Sequence, residues 1–217
     1  MNNKISVLIY ASSNKISLKT CLESVLNQKL KADEIIILDS IDRDNFNFNL
    51  IKPYLDSNSN IKYIKNQNKT NFIQDYKKLF ELSTGDYIKF LPYYAILEEN
   101  ALEKLASFLD KNEDIKLAMS NINSFYEYSE KKIIAYTKYF KQVFNETTIL
   151  ESNESINKIL LNFTSFLGYL SSSMFRKKDI DFKLFEYEEM NHITSADILL
   201  SVQLLKKGSL AFIEEKL

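Results

Sequence analysis

The feature that most limits what this chain can fold into is a rhythm: short runs of β-branched and apolar residues alternate with stretches whose apolar positions recur every three or four residues. "KISVLIYA", residues 4–11, precedes Leu18, Cys21, Leu22, Val25 and Leu26, which lie on one helical stripe. "ADEIIILDS", 32–40, is followed by a polar loop, a weaker helix ending near Leu55, and the short strand "IKYI", 61–64. Asn71 is placed to cap a helix carrying Phe72, Tyr76, Leu79 and Phe80, with Gly85 as its left-handed stop. "DYIKFL", 86–91, predicts a fourth strand, a helix over 98–111 follows, and "IKLAMS", 115–120, predicts a fifth strand. Strands alternating with helices of this length predict a mostly parallel sheet covered on both faces.

Beyond Ser120 the rhythm changes. Residues 122–128 and 131–140 predict a hairpin or meander, and Ile156, Ile159, Leu160 and Phe163 stripe another helix. "YLSSSMFRK", 169–177, predicts a strand; a helix over 196–207, with Gly208 as its stop, leads to a last strand, "LAFIEE". Neither a repeat nor a biased linker divides the chain, so one α/β domain is expected over 1–217. Its halves are 1–120 and 121–217.

The net charge of −1, with cations scattered, supplies no field that would gather nucleic acid. The single cysteine, Cys21, cannot form an internal disulfide and reads as a small buried hydrophobe in a reducing compartment. No apolar run approaches the roughly 20 residues that span a bilayer. The expected location is therefore the cytoplasm, with peripheral contact at the inner face of the membrane compatible with it.

In open α/β sheets ligands bind beyond the carboxyl ends of the strands, so the loops there are the candidate sites. Ala11-Ser12-Ser13-Asn14 follows the first strand, Asp39 to Asp44 the second, and Pro92-Tyr93-Tyr94-Ala95 the fourth. None is a glycine-rich phosphate cradle, which argues against a dinucleotide-binding Rossmann enzyme or a P-loop NTPase. Asp39, Asp42 and Asp44 can hold a ribose hydroxyl, a base amide or a divalent cation; the plainer alternative is a solvated loop whose Asp44 caps the next helix. Asp39 ends a buried strand, so its carboxylate must face the crevice or find a partner. Tyr93 and Tyr94 suit either stacking on a base or sugar or packing against a helix. His192, beside Glu188 and Glu189, reads as a loop residue, and "FEYEEMN" as a solvated face.

"ISVLIYASSN…LKTCLESVLNQKLKADEIIILDSIDRDN" is similar to the opening of the family 2 glycosyltransferases of GT-A fold, and "NFIQDYKKLFELSTGDYIKFL" resembles the helix and strand of their middle. The likeness runs more weakly through "SSSMFRK" and "SADILLSVQLLKKGSLAFIEEKL". It implies a GT-A-like domain whose first half binds a nucleotide sugar of the UDP-sugar type and whose second half takes the acceptor, as in hexosyltransferases of bacterial-type glycan biosynthesis. Ala11, Ser12, Asp39 and Tyr94 are the candidate nucleotide-binding residues, and on that resemblance Asp39 matches the first Asp of the second-strand motif, which contacts the nucleoside. Asp197 matches the acidic residue that serves as general base on the acceptor hydroxyl.

The departures are equally specific. Where the family carries an acidic pair for Mg²⁺ or Mn²⁺, one register puts Pro92 and Tyr94 and the other Tyr94 and Ala95, so no metal ligand is assigned. Ser40 and Ile41 replace the second Asp and the Gly of the second-strand motif, and Tyr10 and Ser13 replace a Pro and an Asn. Three readings stay open: a transferase that stabilises its leaving diphosphate without a metal, with Lys65, Lys69 and Arg176 as candidate cations; an inactive binding or partner module; and a structural domain of a larger glycan-assembly protein.

Overall fold

In the computed structural model the described residues are 3–12, 17–40, 45–66, 71–128, 131–135, 144, 146–162, 170–186 and 196–217, the side chains of 124–135, 159–162 and 196 excepted. Ser13, Asp42, Asp44, Lys69 and His192, with Glu188 and Glu189, lie outside them. The first half is built from β1 (Ile5–Ala11), α1 (Ser17–Leu26), β2 (Glu34–Asp39), α2 (Phe46–Ser57), β3 (Ile61–Lys65), α3 (Phe72–Leu82), β4 (Tyr87–Pro92), α4 (Ala101–Lys111) and β5 (Ile115–Asn121). The second half holds the hairpin β6 (Ser124–Tyr128) and β7 (Lys131–Ala135), then β8 (Thr148–Leu150), α5 (Ser152–Asn162), β9 (Ser173–Arg176), α6 (Ala196–Leu205) and β10 (Ser209–Lys216).

Among the described residues a sheet of eight strands, in the order β3-β2-β1-β4-β9-β5-β10-β8, carries the domain. β1, β2, β3 and β4 pair in parallel, as do β5 and β10. β9 runs antiparallel between β4 and β5, and β8 antiparallel at the edge. The expected strand over 169–177 is thus shorter than its pattern: Leu170–Ser172 forms a 3₁₀ turn and only Ser173–Arg176 joins the sheet.

Both faces of the sheet are covered, which is why its strands read as continuous apolar runs. Val7, Ile9, Ile35 and Ile37 pack with α1 and α4 through Leu18, Leu22, Leu102 and Leu105. Leu8, Ile36, Ile88 and Phe90 pack on the other face with α3 and α6 through Leu79, Phe80, Leu200 and Leu204. At the start of α3 Asn71 accepts from the Gln74 amide while the Gln74 side chain accepts from the Asn71 amide, a reciprocal cap.

The glycines correct one expectation. Neither Gly85 nor Gly208 has a positive φ, so neither ends its helix in a left-handed turn. Both are required by close approach instead: a Cβ on Gly85 would stand 2.5 Å from the Ser6 hydroxyl, and one on Gly208 would stand 2.1 Å from the Asp114 carbonyl. Asn45, before α2, takes the left-handed conformation with φ 56°, one that asparagine tolerates better than most residues.

Lys89 is a buried cation of the core. It lies inside β4 with 1% exposure, and its amine donates to the Ser171 carbonyl at 2.6 Å. Burial pushes the ammonium down from 10.5 to about 7. The unfolded chain therefore holds the extra proton between those values, and stability rises with pH through that window, by about 2 kcal/mol from pH 7 to pH 9. Lys89→Met is expected to abolish this rise. Denaturation free energies of both proteins at pH 7 and pH 9 check it, and an unchanged slope in the variant would contradict the assignment.

Candidate functional site

β1, β2 and β4 end side by side, Ala11 opposite Asp39 and Tyr10 opposite Pro92, so their following loops open into one crevice. Ala11 is buried and its carbonyl accepts from the Ser40 amide; Ser12, half-buried, stands at the mouth. α3 leads into β4 and α6 into β10, which runs in the same direction as β4, so both helices begin at this end of the sheet.

Asp39 finds partners rather than open space. It is fully buried, and its Oδ2 accepts from Asn47 Nδ2 at 3.0 Å and from the Tyr63 hydroxyl. The Asn66 amide donates to the Asp39 carbonyl, the Asn66 side chain donates to Asp75 Oδ1, and Lys78 donates to Asn66 Oδ1 at 2.6 Å. A buried polar network of this kind holds its members in one arrangement. Asp39 is thereby fixed to β3, α2 and α3.

At the end of β4, proline cannot donate to the ladder, and the Tyr93 amide takes over by donating to the Tyr10 carbonyl at 3.0 Å. The Ala95 amide then closes a tight turn onto the Pro92 carbonyl. The two tyrosines divide the alternatives between them. Tyr93 packs against the core shared with α1 and α4, whereas Tyr94, edge-on to it with ring centres 5.2 Å apart, is 59% exposed.

An aromatic wall faces that turn. Tyr10 meets Phe72 edge-on at 5.4 Å and Tyr76 at 6.0 Å, and Tyr76 stacks on Phe90 at 3.8 Å. Burial raises the Tyr10 phenol, with Asp75 adding to the rise and Ser40 opposing it. On the same side Ile73 of α3 packs with Leu199 of α6, which brings the first turn of α6 beside α3. Asp197 sits in that turn, its Oδ1 accepting from the Ile198 amide at 3.0 Å. Burial pushes its carboxyl up to about 6, the amide hydrogen bonds opposing the rise. Such a carboxylate is ionised at neutral pH yet basic enough to take a proton, the poise required of a general base.

The candidate cations separate. Lys65 stands at the crevice end of β3 and donates to Asn45 Oδ1 at 2.8 Å. Arg176 is opposite Tyr87, at the far end of the sheet, where its guanidinium donates to the carbonyls of Leu109, Asn112 and Ile115. It satisfies the C-terminus of α4 and cannot reach the crevice, which corrects the expectation placed on it. A cavity of about 770 Å³ lies at that far end, lined in part by Asn3, Asp86, Arg176 and Lys177. Among the described residues no group of three or more His, Cys, Asp or Glu side chains converges as a metal site would require.

Reading the sequence alone passes over Asn47, Tyr63 and Tyr76. The stripe through Phe72, Tyr76 and Phe80 marks Tyr76 as inward-facing; what it cannot give is the meeting with Tyr10 and with α6, which the sheet order creates.

The fold matches solved structures over 98% of this chain. The 1–349 fragment of S. aureus TarS superposes with a TM-score of 0.70 at 14% identity, with 58% of that chain covered. A second structure of S. aureus TarS gives 0.69 at 13% identity, with 35% of that chain covered. The fragment in complex with UDP-GlcNAc gives 0.68 at 13% identity, with 56% covered. The present chain therefore spans little more than half of the fragment. No protein of curated function matches the sequence. The architecture is that of the GT-A glycosyltransferases: one α/β domain with a mostly parallel sheet and a crevice at the carboxyl ends of its strands. The family model for glycosyl transferase family 2 matches residues 6–181, and the chain belongs to that family.

Proposed function

We propose that this protein transfers a sugar from a nucleoside diphosphate sugar of the UDP type to a hydroxyl of a glycan or related acceptor, with Asp197 as the base. The observation that carries the proposal is the position and poise of Asp197, a carboxylate raised to about 6 in the first turn of α6 at the crevice end of the sheet. The acceptor hydroxyl gives its proton to Asp197, its oxygen bonds to the anomeric carbon, and the bond from that carbon to the diphosphate oxygen breaks, the electron pair leaving with the diphosphate. Residues 1–120 hold the donor, with Ala11, Ser12 and Asp39 toward the nucleoside and Tyr94 toward the sugar or base, and 121–217 receive the acceptor. Neighbours of the same fold crystallised with UDP and with UDP-GlcNAc support the donor class.

In the family that this chain resembles, a divalent ion on the diphosphate takes oxygen ligands at the end of the strand that matches β4. Pro92 to Ala95 supply no carboxylate there, and the next along the chain, Glu98 and Glu99, are exposed, Glu99 pairing with Lys29 at 2.8 Å. This donor set does not fit the ion, and the proposed reaction proceeds without one. Hydrolysis of UDP-GlcNAc, water serving as acceptor, is expected to run at the same rate in excess EDTA and in Mn²⁺. A rate that requires Mn²⁺ would contradict the metal-free route. A second reading, a module that binds nucleotide without turnover, is favoured by the same Pro92–Ala95 turn; UDP binding with no hydrolysis of any donor would select it. No helix among the described residues is long and apolar enough to cross a membrane. Association at the inner membrane face remains part of the proposal only through the glycan acceptor.

A further inference from the structure

Tyr76 is buried to a degree unusual for a tyrosine whose hydroxyl makes no hydrogen bond to another described residue. Its exposure is 7%, and its ring is held by Phe90, stacked at 3.8 Å, and by Phe72, with ring centres 3.9 Å apart. Its hydroxyl is not among the fully buried side-chain atoms left without a partner, so the O–H keeps a small opening to solvent where a ligand could meet it. The surroundings suggest what that ligand is. Phe90 lies two residues before Pro92, so Tyr76 stands under the turn where the acidic pair of a metal-dependent transferase would be. Tyr10 approaches from β1, with its ring centre 6.0 Å away. Asp197 approaches from α6, whose Leu199 packs against Ile73, three residues before Tyr76.

Burial raises the Tyr76 phenol well above 10, and the charges of Asp197, Tyr94 and Tyr10 add to the rise. The group therefore keeps its proton at neutral pH and acts as a donor, never as a base. A donor whose ring is buried and whose hydroxyl opens between Asp197 and the end of β4 is suited to an anion, to which hydrogen bonds are roughly twice as strong as to neutral acceptors.

We propose that the Tyr76 hydroxyl donates a hydrogen bond to a diphosphate oxygen of the bound nucleotide, beside Tyr94, and so carries part of the charge stabilisation that a divalent ion supplies elsewhere. The proton stays on the tyrosine throughout; only the negative charge of the departing diphosphate grows against it, as in an oxyanion hole. The inference rests on the sugar-transfer reading for its site, and its test separates from that reading.

Tyr76→Phe keeps the ring contacts with Phe72 and Phe90 and removes only the O–H. Calorimetric titrations of wild type and variant with UDP and with uridine are the measurement. UDP is expected to bind wild type more tightly than uridine, and Tyr76→Phe is expected to weaken UDP about tenfold with uridine unchanged. Unchanged UDP affinity, an equal loss for UDP and uridine, or a wild type that binds UDP no tighter than uridine would each overturn the inference. Selective loss of UDP affinity in a protein that hydrolyses no donor would leave the tyrosine's role standing and overturn the transferase reading instead.

Discussion

Asp197→Asn is expected to lower donor turnover by about 100- to 10,000-fold, the range general-base catalysis contributes, while UDP affinity stays within a factor of two or so. The substitution keeps the side-chain volume and leaves an oxygen to accept from the Ile198 amide, so the first turn of α6 retains its geometry. What it removes is the group that takes the acceptor proton. Steady-state rates with UDP-GlcNAc, together with UDP titration, check the split. A variant as active as wild type would mean that another group accepts the proton, and a variant that has lost both turnover and UDP binding would mean that Asp197 holds up the site rather than acting in it.

The second large effect belongs to Asp39. UDP at about 100 times its dissociation constant stabilises a protein that binds it only when folded by about 2.7 kcal/mol, which for a domain of this size raises the thermal midpoint by about 5–10 °C. Asp39→Asn is expected to remove most of that rise. Its Oδ atom can still accept from Tyr63, so the variant is expected to fold. The comparison that matters is ligand-induced: the midpoint of each protein with and without UDP. A rise in Asp39→Asn equal to that of wild type would show that the carboxylate serves only the network of Asn47 and Tyr63 and has no part in holding the nucleotide.

Much of the fold was legible because the strands are buried on both faces. Ile35 to Leu38 and Val7 to Ile9 are continuous apolar runs for that reason, and the capped stripe from Phe72 to Phe80 is a helix by period alone. β9 was legible as a strand but not in extent or place. A strand of four residues takes its partners from tertiary structure, and nothing local says that it runs antiparallel between β4 and β5. The glycines misled in an instructive way. Gly85 and Gly208 stand next to helix ends, which invites a left-handed turn, yet the constraint on each is a neighbouring backbone or hydroxyl too close for a Cβ.

The candidate site divides along the same line. Residues at strand ends, such as Asp39 and Tyr94, could be placed from the sequence because strand ends are where the crevice must be. Arg176 could not, since its end of β9 depends on that strand running antiparallel, and it serves the α4 carbonyls instead. Tyr76 was read as core, and it is core; its hydroxyl gains meaning only when β1, β4 and α6 are brought around it. In the Pro92–Ala95 turn Tyr93 packs inward and Tyr94 is left exposed, a division that the residue types alone left open.

The pH dependence of kcat/KM for UDP-GlcNAc hydrolysis tests the central claim most directly. Burial raises the Asp197 carboxyl to about 6, and the active form is the carboxylate, so the rate should fall about tenfold per pH unit below that value and level off above it. A rising limb near pH 6, absent from the residual rate of Asp197→Asn, is the predicted result. A limb near pH 4, or the same limb in the variant, would contradict Asp197 as the base.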